Sequence, residues 1–101
     1  MRATIIVNGR VQGVGYRRFV KDNVSTFHVK GSVRNLGSGS VEIFVEGDTF
    51  EIQRFVEFLR KEKPSAGNIE VVEVFDEKHA RYKGPWKEVS EGFFVDWNNG
   101  D

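Results

Sequence analysis

Residues 9–18, GRVQGVGYRR, place three glycines directly before two arginines. Glycine has no Cβ and adopts positive φ easily, so such a loop can curl with successive amide N–H groups pointing inward. The arginines fall where a helix is predicted to begin, and there the helix dipole makes each cation cost about 0.3–1 kcal/mol. A bound anion would offset that cost. The stretch therefore predicts a local phosphate site at a helix N-terminus.

The two arginines are expected on different faces of this helix. At about 100° per residue, Arg17 lies roughly a quarter turn from the centre of the apolar face and Arg18 lies nearly opposite it. We expect Arg18 to face solvent, and Arg17 to fold back over the loop and bind two oxygens of one phosphate. From the glycines alone, a tight connection without any ligand is the favoured interpretation, and it is the arginines that favour an anion site.

The loop matches neither common nucleotide-binding motif. The pattern GxxxxGK[ST] requires a Lys-Ser/Thr pair that is absent, and GxGxxG fails at Arg18. The chain has no cysteine, which excludes a thiolate nucleophile and a thiolate metal site. His28 and His79 are far apart and lack ligand-type partners four residues away, so each is expected to be a surface or structural histidine. We expect no metal and no other cofactor.

Length and charge restrict the partners. The 101 residues predict a single domain, residues 1–101, with a core of about 3–97. Fifteen basic and fifteen acidic residues give no net charge, so neither nucleic acid nor a membrane surface is an expected partner. No apolar run approaches the ~18 residues of a membrane span. Because the chain also lacks cysteine, we expect a cytoplasmic protein. Small domains of this kind are often monomeric, so we also expect a monomer.

Strands and helices are predicted in the order βαββαβ, plus a C-terminal strand. The third strand alternates apolar and mostly acidic residues, which predicts a hairpin with one wet edge or face. Asp48 and Glu51 have the spacing of a capping box at the start of the second helix. The predicted strands cover 3–8, 31–35, 40–47, 68–75 and 92–97, and the helices cover 16–27 and the residues from Asp48 to the basic RKEK stretch.

This order is typical of an α+β fold, the ferredoxin-like α/β sandwich, with two helices packed on one face of a mostly antiparallel sheet. The polar stretch 76–91 is expected to be a mobile or strand-extending insertion, and the residues after Trp97 a tail.

Two segments resemble the signatures of the acylphosphatase family. GRVQGVGYR at 9–17 resembles the first signature, and GSVRNLGSGSVEIFVEG at 31–47 resembles the second. The resemblance implies that Arg17 clamps the phosphate, that Asn35 orients the attacking water, and that the fold is the ferredoxin-like sandwich. It also implies a phosphate-binding loop made of Gln12, Gly13, Val14, Gly15, Tyr16 and Arg17.

The implied reaction suits a site that offers amides, one guanidinium and one carboxamide. An acyl phosphate is a mixed anhydride whose carboxylate leaves without protonation, so positioning water and stabilising charge on the phosphoryl group can be sufficient. A phosphomonoester normally needs a metal, an acid or a nucleophile. The resemblance thus implies metal-free hydrolysis of small acyl phosphates to a carboxylate and inorganic phosphate, which is also expected to inhibit.

The second signature departs from the family pattern, because Leu36 and Ser38 stand where a small polar and an acidic residue often occur. Without the resemblance, Asn35 is explained slightly better as a buried or turn-capping residue, and the two signatures together favour the water-positioning role. Three other functions remain open: an RNA-binding module, suggested by 13% aromatic residues; a carbamoyl-phosphate-processing domain like that of a hydrogenase-maturation carbamoyltransferase; and a nonenzymatic anion sensor.

Overall fold

The computed structural model describes residues 1–88 and 91–98. Seven elements follow one another in the order β1, α1, β2, β3, α2, β4, β5. They are β1 (Arg2–Arg10), α1 (Tyr16–Val24), β2 (Val29–Asn35), β3 (Val41–Gly47), α2 (Thr49–Lys61), β4 (Asn68–Asp76) and β5 (Phe93–Val95). The strands form one five-stranded sheet in the order β4-β1-β3-β2-β5. β5 runs parallel to β2 and the other pairs are antiparallel, so the predicted βαββαβ sandwich with an added strand is confirmed.

The main core lies between the helices and one face of the sheet. Alternate residues of β1, Ala3, Ile5 and Val7, are fully buried there, because a strand presents every second side chain to the same face. α1 and α2 cover this face with the apolar stripes that their sequences predict. The largest buried contributors from the helices are Tyr16, Val20, Ile52, Phe55 and Leu59.

Two local predictions about the helices are wrong. α1 ends at Val24 rather than Phe27, although Phe27 still packs into the core beside Phe55. Asp48 is the N-cap residue of α2 but makes no side-chain capping bond. Glu51 does not reach back to it, since its Oε1 accepts hydrogen bonds from the His28 backbone N–H at 3.2 Å and from Arg54 at 2.8 Å. Glu51 therefore ties α2 to the turn before β2.

The prediction of a wet face on β3 is also wrong. Glu42 and Phe44 point away from the helices, yet each is only 2% exposed. Residues 77–88, here called the covering segment, cross that face instead of extending a strand. The Lys83 backbone N–H donates to Thr4 Oγ1 at 3.2 Å, and the Trp86 ring lies 4.9 Å from the guanidinium carbon of Arg34. Of the predicted insertion 76–91, Asp76 is the last residue of β4 and residues 77–88 cover the sheet, whereas residues 89 and 90 lie outside the described part of the chain.

Candidate active site

The glycine loop, residues 12–17, lies between β1 and α1 and includes the first two residues of α1. Its backbone has the conformation that its glycines predict. Gly13 has φ +73° and Gly15 has φ +78°, both in the left-handed region. A Cβ at either position would meet no atom within 4 Å, so backbone conformation rather than space requires glycine here. Gly15 is the N-cap of α1, and its carbonyl accepts from the Phe19 N–H at 3.0 Å. The first turn of α1 contains no acidic side chain.

The Gln12 side chain fixes the glycine loop to the turn between β2 and β3. Its Nε2 donates to the Leu36 carbonyl at 2.8 Å and to the Ser40 carbonyl at 2.9 Å. The resemblance assigned Gln12 to the loop only as part of the backbone, and nothing in the local sequence indicated this bond. The turn between β2 and β3 departs from the family pattern at Leu36 and Ser38 but still closes, because the Leu36 N–H donates to the Ser40 carbonyl at 2.9 Å. The Ser40 N–H lies 3.4 Å from the hydroxyl oxygen of Ser38, the residue that replaces the acidic one.

Arg17 is almost completely buried, with 1% of its surface exposed. Its Nη1 donates to the backbone carbonyls of Asp96 at 2.5 Å and Asn98 at 2.9 Å. The Trp97 ring centroid lies 5.3 Å from the guanidinium carbon of Arg17 and 5.5 Å from that of Arg18. Arg18 itself is exposed, as predicted. The sequence indicated neither the depth of Arg17 nor its contact with the C-terminal residues.

Asn35 is the last residue of β2 and is 4% exposed. Two connections bring it near the glycine loop. On one side Leu36 receives the Gln12 bond. On the other side the Val33 carbonyl accepts from the Asp96 N–H at 3.0 Å, and Asp96 in turn accepts from Arg17. The structure therefore gathers the glycine loop, Asn35 and the C-terminal residues at one end of the sheet.

Tyr16 has a phenol without a hydrogen-bond partner in the described structure, and the residue is fully buried. Burial raises the pKa of this phenol far above its ordinary value, because an ionised oxygen would lose its hydration. Tyr16 therefore contributes an apolar ring to the core and a backbone amide to the loop.

Within residues 1–88 and 91–98 no three side chains of His, Cys, Asp or Glu are grouped as metal ligands, and both histidines are exposed.

A pocket of about 480 Å³ lies on the covered face of the sheet, away from the helices. It borders the β2–β3 turn through Leu36, Ser38 and Ser40, and its other walls include Tyr82 and Lys83 of the covering segment. Neither Arg17 nor Asn35 lines it. The groups that suit a phosphoryl site, the glycine loop and Arg17, thus lie outside this pocket, around the start of α1.

A small α+β sandwich with a glycine loop at a helix N-terminus and a buried arginine beside it defines a class of anion-binding domain. Comparisons with known proteins narrow that class. The sequence profile of the family described as Acylphosphatase matches residues 3–85. An acylphosphatase of Treponema denticola is 42% identical over 80 residues, which are 79% of this chain and 81% of the relative.

Solved structures agree with this assignment. The crystal structure of acylphosphatase from Bacillus subtilis matches with a TM-score of 0.75 at 29% identity, over 94% of this chain and 97% of that one. HypF of T. kodakarensis matches with a TM-score of 0.69 at 34% identity, over 94% of this chain but only 12% of that one. Most of that larger protein thus has no counterpart in these 101 residues.

This chain belongs to the acylphosphatase family. It is a hydrolase of that family, whose substrates are small acyl phosphates, so the predicted family, fold and enzyme class are confirmed. Among the described residues no helix is long and apolar enough to cross a membrane.

Proposed function

We propose that the glycine loop holds the phosphate of the substrate and that Arg17 clamps it. The observation that carries this proposal is the pair of left-handed glycines, Gly13 and Gly15, at the N-terminus of a helix that starts with a buried arginine. In this conformation successive amides from Gln12 to Arg17 can converge on one anion. An arginine beside such a loop adds charge and a planar pair of donors that fits two phosphate oxygens.

Asn35 is the proposed water-positioning residue. A carboxamide accepts one hydrogen bond from water and donates another, whereas an aspartate would repel the phosphate. Water attacks phosphorus, the bond between phosphorus and the carboxylate oxygen breaks, and the bond electrons leave with the carboxylate. The proton released by the water goes to the phosphate product or to solvent. Because the leaving group needs no proton, no general acid is assigned.

Several finer points belong to the same proposal. Residues 1–101 are proposed to act as one domain, since the helices pack on a single five-stranded sheet and share one core with it. A domain of this size is also proposed to act as a monomer. The site takes small acyl phosphates, with inorganic phosphate as product and inhibitor, and uses no metal or other cofactor. With zero net charge, neither nucleic acid nor a membrane is a proposed partner, and the absence of cysteine favours the cytoplasm.

Release of inorganic phosphate from acetyl or benzoyl phosphate in excess EDTA tests this proposal. A phosphomonoester serves as the control substrate. Arg17→Ala is compared with Arg18→Ala. The second variant removes the same type of side chain from the next residue, which is exposed. We expect hydrolysis of the acyl phosphate alone, a loss of at least about 10²-fold in Arg17→Ala, and near wild-type activity in Arg18→Ala.

Three results would contradict parts of the proposal. Loss of activity in EDTA, reversed by adding a divalent metal, would refute the metal-free mechanism. Equal losses in the two arginine variants would remove the special role of Arg17. Phosphate protection against thermal unfolding without any turnover would favour the nonenzymatic anion sensor over the enzyme.

A further inference from the structure

The C-terminal segment, residues 96–98, surrounds the Arg17 guanidinium on two sides. The carbonyls of Asp96 and Asn98 both accept from Nη1, at 2.5 and 2.9 Å. The Trp97 ring between them lies over the guanidinium, with its centroid 5.3 Å from the central carbon. An aromatic face at this distance attracts a cation. One short stretch of backbone thus determines both the position and the plane of this side chain.

The segment is itself held in place by the sheet. The Asp96 N–H donates to the Val33 carbonyl at 3.0 Å, which continues the parallel pairing of β5 with β2. The Asp96 carboxylate accepts from the Asn98 N–H at 3.0 Å, which closes a tight turn around Trp97. Both carbonyls are therefore presented by a fixed turn, and the ring projects from its apex.

Trp97 keeps 48% of its surface exposed. Its ring lies against two arginines, Arg17 and Arg18, and Trp97 is not one of the buried residues of the hydrophobic core. Packing alone does not account for a tryptophan at this place. The described contacts of its ring are with Arg17, which clamps the phosphate in the proposed mechanism, and with the exposed Arg18.

We propose that Trp97 is a positioning residue for the Arg17 clamp, acting together with the backbone carbonyls of the C-terminal segment. The inference rests on the proposed role of Arg17. A guanidinium is a rigid planar fork, so fixing Nη1 and the plane of the group also fixes the direction of its remaining N–H donors. Carbonyl oxygens are neutral acceptors, and these two bonds orient the guanidinium without removing its charge. A phosphate in the glycine loop then meets an arginine that is already aligned.

Substitution at Trp97 tests this role. Trp97→Ala removes the ring and leaves the backbone carbonyls, whereas Trp97→Phe keeps an aromatic face. Phe50→Ala is the matched control, because Phe50 is another exposed aromatic residue, 66% accessible, at the start of α2. The measurements are kcat and KM for acetyl phosphate, the inhibition constant of inorganic phosphate, and the midpoint of thermal unfolding.

We expect Trp97→Ala to weaken phosphate inhibition and to lower kcat/KM by about three- to tenfold, the range of an aromatic–cation contact. Trp97→Phe should retain most of the wild-type values, and Phe50→Ala should match wild type. A double variant separates positioning from general stability. In an Arg17→Lys background, which lacks the planar fork, Trp97→Ala should change phosphate inhibition by less than about twofold.

A tighter phosphate inhibition or a higher kcat/KM in Trp97→Ala would overturn the inference, because it would show that the segment obstructs the site. An equal loss in the wild-type and Arg17→Lys backgrounds would also overturn it, since Trp97 would then act through the fold. If the wild-type protein failed to hydrolyse acetyl phosphate, the proposed function would fail by itself. Calorimetric binding of inorganic phosphate to the same variants would still decide the positioning role.

Discussion

Replacing Gly15 by alanine tests whether backbone conformation, rather than space, requires glycine in the loop. Gly15 has φ +78° and ψ +25° and caps α1. Apart from its own chain neighbours, a Cβ at this position would meet no atom within 4 Å, so no contact with the rest of the fold contributes to the effect. An L-residue held in the left-handed region costs about 1–2 kcal/mol. Against this, alanine lowers the conformational entropy of the unfolded chain and regains about 0.4–1 kcal/mol.

Gly37→Ala is the matched control. Gly37 also lies in an exposed turn where a Cβ has open space, but its φ is not in the left-handed region. The gain from the unfolded chain is common to both variants and cancels in their difference. We therefore expect Gly15→Ala to be less stable than Gly37→Ala by about 1–2 kcal/mol. For a domain of this size each kcal/mol shifts the unfolding midpoint by roughly 4–8 °C.

Thermal unfolding and phosphate inhibition of the two variants are the assays. If alanine escapes the strain by rotating out of the left-handed region, the loop amides turn away from the proposed phosphate site and inhibition weakens. Gly37→Ala should leave inhibition unchanged. Equal unfolding midpoints together with equal inhibition constants would refute the argument that positive φ is what the loop requires.

Four further predictions concern three buried polar residues, Asn35, Tyr16 and Glu42. Asn35→Ala should lower kcat by about 10²–10³-fold with little change in phosphate inhibition, and retained turnover would remove Asn35 from the mechanism. Tyr16→Phe should stabilise the fold by roughly 1 kcal/mol, because it removes a buried hydroxyl without a partner in the described structure. The raised pKa of Tyr16 keeps the folded state protonated while the unfolded state ionises, so wild-type stability should fall as pH rises above about 10. Comparing the pH dependence of unfolding in wild type and Tyr16→Phe checks this, and an identical alkaline decline would contradict it. Arg34→Ala should cost about 2–3 kcal/mol in urea unfolding, since the 2%-exposed Glu42 would lose its 3.0 Å partner, whereas a cost near zero would show that Lys83 compensates fully.

Local patterns were sufficient for most of the fold. The three- and four-residue spacing of apolar residues in α1 and α2 depends only on helix geometry, so the sequence predicted the buried faces of both helices correctly. The glycines of the loop are likewise a local requirement, and Gly13 and Gly15 adopt the predicted positive φ. Prediction failed where a side chain had a choice of partners. Glu51 binds Arg54, one turn further along α2, and the His28 N–H instead of the helix cap, and the His28 N–H reaches it only after the chain has folded.

The covered face of the sheet shows the same limit on a larger scale. The alternation in β3 indicates two faces but not whether a distant segment covers one of them. Residues 77–88 are polar and poorly patterned, so their sequence alone did not indicate that they would bury Glu42 and Phe44. The face of β3 that the sequence predicted to be exposed is therefore buried in the folded protein.

Local sequence patterns were sufficient to predict the family, the order of elements and the glycine loop with Arg17 beside it. How Arg17 is held depends instead on contacts between distant parts of the chain. Its partner carbonyls in the C-terminal segment are 79 and 81 residues away, and Gln12 reaches carbonyls 24 and 28 residues away. Helical and strand periodicity act over a few neighbouring residues, whereas the Arg17 contacts depend on β5 pairing beside β2 at the end of the sheet where α1 begins. A backbone carbonyl, moreover, exists at every residue, so no residue type in the sequence identifies the two that Arg17 uses.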